Sequence, residues 1–188
     1  MAFFGNCAKK GISMKAVRGF TIIELMVTLV IVAVMVTLAA PSFTRMIRQN
    51  RMSTQVNEFI AAANLAKSEA IRRSGPVKIQ SDPGSAATAV FSANGFAVTS
   101  SGTVLRVFAK FTGATTLTHV TGTGPYTVAT GTGLDYVQFN SRGGVDNSST
   151  PVQFKACDTT DNAIGARLIK INAVGQISIS TITSTSCP

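Results

Sequence analysis

A single carboxylate interrupts the most apolar stretch of the chain: Glu24 follows Phe20-Thr21-Ile22-Ile23 and precedes an uncharged run over 25–40. A helix of about 20 apolar residues spans a bilayer at a rise of about 1.5 Å per residue, and 20–43 is long enough. A carboxylate near the hydrocarbon costs roughly 2.5–3.5 kcal/mol on insertion scales, so such a residue has a partner and a role. The partner must be positive. Little else in the sequence could react. Acid–base or nucleophilic catalysis needs a base within hydrogen-bond reach of a nucleophile, usually with an orienting group, and the lone imidazole, His119, among many Ser and Thr residues makes no such set. His119 reads as a surface residue of a Thr- and Gly-rich stretch. Asp158, Asp161 and Asn162 offer oxygens, but calcium needs about six to eight, and the segment reads better as a polar turn beside Cys157. No enzymatic activity, cofactor or metal site is expected.

The element that carries Glu24 must be long. Pro41 removes one backbone hydrogen bond and favours a kink, yet the helical pattern resumes beyond it. Val56, Phe59, Ile60, Ala63, Ala66 and Ala70 recur at spacings of three and four, and Glu69 with Arg73 forms an i, i+4 pair on another face. The pattern predicts one helix from Phe20 to about Ser74, roughly 80 Å at 1.5 Å per residue. Its first half, 20–43, reads as membrane anchor; its second, 44–74, reads as an amphipathic half packed on a globular domain. Arg45, Arg48 and Arg51 form a basic stripe just past the anchor, a solvated face or a contact with lipid phosphates or a neighbouring subunit. Gly75-Pro76 ends the helix.

From 75 to 188 the chain turns Thr-, Ser-, Gly- and Val-rich, with candidate strands at 77–80, 89–91, 96–99, 104–111, 115–120, 126–129, 136–140, 152–156, 167–172 and 176–182. Gly113 to Gly133 reads as a hairpin or a loop. Phe91, Phe96, Phe108, Phe111, Phe139, Phe154, Leu168 and Ile171 supply a core for a single β-rich domain.

Arg18-Gly19-Phe20-Thr21-Ile22-Ile23-Glu24, leading into an apolar helix, resembles the signature of type IV prepilins and of the pseudopilins of type II secretion. The resemblance implies a leader, 1–19, cut between Gly19 and Phe20 by a prepilin peptidase that also N-methylates Phe20. It also implies that Glu24 meets the N-terminal amine of a neighbouring subunit in a filament, which supplies the positive partner. Lys9, Lys10, Lys15 and Arg18, with no acid in the leader, keep the N-terminus cytoplasmic and place the domain in the periplasm. Met14 opens a six-residue leader of the kind this family uses, so either Met1 or Met14 is the start. Within the family the chain is similar to the GspH/FimT (FimU-like) branch. The residues are Pro41-Ser42-Phe43 with Asn50-Arg51, then 63–73 with Gly75 and Val77, then Phe139, Gly143, Phe154, Cys157, Arg167-Leu168 and Val174-Gly175 in order. This implies the α+β pilin fold, a long N-terminal helix packed on an antiparallel β-sheet domain.

The formal charge of +9 falls without the leader to 13 Lys plus Arg against 8 Asp plus Glu, or +5, and the β-rich region has seven basic residues against five acidic, a net +2. That is a weak case for a nucleic-acid face. Some FimT-like pilins bind DNA through Gly-Arg-x-Arg at the last strand; here Gly175-Gln176-Ile177-Ser178 stands there, leaving Arg167 and Lys170 as candidate contacts for DNA or a partner. Cys7 leaves with the leader, and Cys157 and Cys187 remain as an even pair in an oxidising compartment, which reads as a disulfide. Closing that loop of about 30 residues would stabilise the domain by roughly 3–4 kcal/mol. The resemblance points to a structural minor pilin that primes assembly near the pilus tip, or to pseudopilin H of type II secretion, with DNA uptake a lesser reading. The partners implied are other pilins or pseudopilins, the peptidase, and the inner membrane with its assembly platform.

Overall fold

The computed structural model describes residues 19–81, 95–122, 127–128, 136–146, 151–161 and 164–182. The expected strand at 89–91 lies outside them, as do Phe91, the leader up to Arg18, and Cys187. The chain divides into two units, Met1–Ser42 and Phe43–Pro188. One helix, α1 (Ile22–Arg73), begins in the first and ends in the second, continuing through Pro41.

In the first unit α1 is apolar on every side and exposed throughout. It is long and apolar enough to cross a membrane. In the second unit the helix becomes one-sided, burying Met52, Gln55, Val56, Phe59, Ala62, Ala63, Ala66 and Ala70. The spacing of three and four sets these on one stripe, and four alanines in it let the helix backbone approach the sheets closely. The helix ends in a Schellman arrangement: the Gly75 N–H donates to the Ala70 carbonyl and the Ser74 N–H to Ile71, each at 3.2 Å. The sequence marks Gly75 as the capping glycine, yet Ser74 takes the left-handed conformation, at φ 51°.

Nine strands follow, β1 (Val77–Ser81), β2 (Phe96–Ser100), β3 (Thr103–Phe108), β4 (Thr115–Thr121), β5 (Thr127–Val128), β6 (Tyr136–Phe139), β7 (Val152–Asp158), β8 (Ala166–Ile171) and β9 (Ile177–Ile182). They form two antiparallel sheets among the described residues, ordered β3-β2-β1-β6 and β5-β4-β7-β8-β9. The stretch expected as hairpin or loop supplies β4 and β5, paired through Val120 and Val128.

Phe59 joins the helix to both sheets. Its ring lies edge-on to Phe96 of the first sheet at 5.5 Å and to Phe154 of the second at 4.8 Å. Around it Val77, Ile79, Val98, Val137, Phe139, Leu117, Val152, Ala156, Ile169 and Ile171 are fully buried. Strand β7 is buried at every residue, so both faces of the second sheet are covered there. Lys155 sits in that strand, where burial pushes its ammonium below the usual lysine range.

Candidate functional site

The segment that the sequence singles out begins on an exposed backbone. Gly19 and Phe20 are exposed, Phe20 at 82 %, and α1 starts two residues on. The Thr21 hydroxyl accepts the backbone N–H of Glu24 at 3.2 Å, and the Thr21 carbonyl accepts the N–H of Leu25 at 3.2 Å. Thr21 is therefore the N-cap and Glu24 the third helical residue, the positions of a capping box. Thr21 belongs to the N-terminal signature, and Thr-x-x-Glu before an apolar run is also the sequence signal for a helix start. A carboxylate in the first turn also meets the positive end of the helix dipole. A Cβ added at Gly19 would meet nothing within 4 Å, so no contact among the described residues demands a glycine there.

The basic stripe is spent largely on the chain's own loops. Arg45 Nε lies 3.2 Å from Asp161 Oδ2, and Arg48 Nη1 donates to Thr160 Oγ1 at 2.8 Å. Arg51 packs so closely on Gly113 that a side chain there would strike its guanidinium. The loop these arginines reach is the polar turn expected beside Cys157. Asp158 Oδ1 accepts from the Thr160 N–H at 2.8 Å, the Thr160 hydroxyl at 2.6 Å and the Asp161 N–H at 3.2 Å. Burial pushes the Asp158 carboxyl up; the hydrogen bonds from Thr160 and Asp161, with Arg48 nearby, outweigh it and hold the group below its usual range. Among the described residues no group of three or more His, Cys, Asp or Glu could hold a metal.

At the other end of the half-helix, Lys67 Nζ donates to the Gly175 carbonyl at 2.9 Å. Gly175, at φ 72°, closes the β8–β9 turn and presses on the Gly143 carbonyl, so any side chain there would collide with backbone. Val145 N–H donates to the Ala173 carbonyl at 2.9 Å, which docks the 140–145 turn on the 172–176 turn.

The family described as type II transport protein GspH matches residues 55–175 of this sequence, well over half of it. The chain belongs to the GspH family. The prokaryotic N-terminal methylation motif matches residues 14–40. Two crystal forms of the type IV minor pilin FimU from Pseudomonas aeruginosa share the fold at 18% identity, with TM-scores of 0.53 and 0.50, covering 71% and 68% of this chain and 90% and 91% of FimU. No curated protein matches. The chain thus joins membership of the GspH family and an N-terminal methylation motif to the fold of FimU and an apolar helix long enough to cross a membrane.

Other expectations divide. Arg167 and Lys170 lie three residues apart on β8 and so point to opposite faces. Arg167 turns toward the helix, its Nη2 3.4 Å from Ser53 Oγ, and shares no face with Lys170. His119 is not at the surface: it is buried on β4, its ring 5.2 Å from Phe154. The alternation Leu117, His119 marks that side of the strand as core-facing, a signal outweighed by the polar composition around it. Cys157 is buried on β7 with Sγ 3.6 Å from Thr116 Oγ1.

Proposed function

We propose that this chain is a minor pilin that primes assembly of a type IV pilus and stays at or near its tip. The observation that carries the reading is the exposed start of α1, where Glu24 is held in the first helical turn of an apolar, uncovered segment. In this reading the chain enters the inner membrane with its N-terminus cytoplasmic. A prepilin peptidase cuts between Gly19 and Phe20 and methylates the new amine of Phe20. An assembly platform then draws the subunit into a filament. Glu24 pairs with the amine of a neighbouring pilin during docking, which supplies the cation that a carboxylate in hydrocarbon needs. The lack of contact between a Cβ at Gly19 and the described residues fits this reading, since the demand for a glycine then comes from the peptidase. A Cys157–Cys187 link would fix the C-terminal end of the domain to β7.

The family description favours a second reading, pseudopilin H of a type II secretion system. DNA uptake has less behind it, because Gln176 and Ser178 replace the arginines of the known motif and Arg167 and Lys170 do not share a face. Pili counted by electron microscopy in a deletion strain unable to retract them test the choice. Loss of pili is expected. Normal pili with lost protein secretion would move the chain to the secretion filament.

A further inference from the structure

The face of the first sheet turned away from the helix carries a cup that the assembly reading does not use. Antiparallel register aligns Val104, Thr99, Lys78 and Gln138 in one row across all four strands, and Val107, Ala97, Gln80 and Tyr136 in the next. The residues between them, Ile79, Val98 and Val137, belong to the core, so these two rows face the other way. The cup has a volume of about 450 Å³, within the range of ligand clefts. Its floor is Lys78 and Thr99, and Gln80, Gln138, Ser101 and Val104 stand around it. Thr99 is buried although it lies on this face.

Among the described residues that line it, the cup holds one cation among neutral donors. Lys78 Nζ sits 4.5 Å from the centre of the Tyr136 ring, and none of the ion pairs among the described residues involves it. Strands β1, β2 and β3 contain no acid. Among the described residues the carboxylate of Asp146 accepts from the Gln138 amide at 3.4 Å. An ammonium flanked by amides and hydroxyls matches a carboxylate with hydrogen-bonding neighbours. A sugar would want an aromatic plane to stack on, and among the described residues no aromatic lines the cup, the Tyr136 face being occupied by Lys78.

We propose that this cup receives an acidic side chain on a loop of a partner polypeptide, with Lys78 as the counter-ion. The assignment is independent of whether the filament is a pilus or a secretion pseudopilus. The full chain, ¹⁵N-labelled in detergent micelles, is titrated with the blocked peptide acetyl-Gly-Ser-Glu-Ser-Gly-amide, with its Gln counterpart, and with glucuronate. The Glu peptide is expected to shift the amides of Lys78, Thr99, Ser101 and Gln138, and to bind about tenfold more tightly than the Gln peptide. Added salt should narrow that gap. Lys78→Gln should remove it with the rest of the spectrum unchanged, and Lys78→Arg should keep it. Equal binding of the two peptides, or no shift up to ~10 mM, where a millimolar site is largely filled, would overturn the proposal. Tighter binding of glucuronate would instead make the site one for acidic sugars, and overturn it equally.

Discussion

Glu24 and Glu69 lie on one helix, and their surroundings give them opposite tasks. Glu69 is saturated: its carboxylate takes Arg72 Nη2 at 2.6 Å and Arg73 Nε at 2.7 Å, hydrogen bonds that lower its pKa from 4.5 to about 2. Since the folded value lies below the unfolded one, the stabilisation from this group is complete above about pH 4.5 and fades as pH falls toward 2. Glu69→Gln should therefore lower Tm near neutrality and by progressively less as pH falls from about 4.5 through 2, as read by thermal melts across that range. Glu24 has no ion pair among the described residues, only the backbone contact with Thr21. Glu24→Ala is expected to leave a processed subunit that is depleted from sheared filaments on immunoblots; unchanged incorporation would sink the pairing with a neighbour's amine. Gly19→Ala should leave the leader attached, seen as a heavier band, without altering the described fold, because the added methyl meets none of the described residues.

Elements depend on a few backbone positions that composition hides. Ser74 holds a left-handed conformation that costs a non-glycine residue about 1–2 kcal/mol, so Ser74→Gly should raise domain stability by about 0.5–1 kcal/mol once the added freedom of the unfolded chain is counted. Gly175→Ala acts the other way, combining positive φ with a clash against the Gly143 carbonyl; a loss of roughly 2–4 kcal/mol in chemical denaturation is expected. The helix and most strands were legible in the sequence because periodicity reports burial directly: Val56, Phe59, Ala63 and Ala66 repeat at helical spacing, and Val77 and Ile79 at strand spacing. His119 was not, since a residue's own polarity gives no account of the Phe154 ring it packs against. The arginines were not either. Their loop partners Thr160 and Asp161 lie more than 100 positions away, beyond any local pattern.

Across the molecule, the division of labour was readable and the closure of the domain was not. The change from an all-apolar helix to a striped one announces anchor and packing halves. The split into two sheets arises from which strands find β1 and β7 as neighbours, and alternation alone is blind to that. The proposed Cys157–Cys187 link belongs to this scale. Cys187→Ser should lower Tm by roughly 10 °C, and reductant should lower the wild type equally; a Tm indifferent to both would remove the link. The clasps along the half-helix have one more consequence. Arg45 and Arg48 grip the domain near one end and Lys67 near the other, while the alanines between them are smooth and offer little to catch on. Tension along the helix backbone would meet the Arg45–Asp161 contact first, an exposed pair worth about 1 kcal/mol or less, then Arg48–Thr160, Ser53–Arg167 and Gln55–Thr112, and only then Phe59 between the sheets. Under such a load the exposed arginine contacts would give way before the buried aromatic packing does.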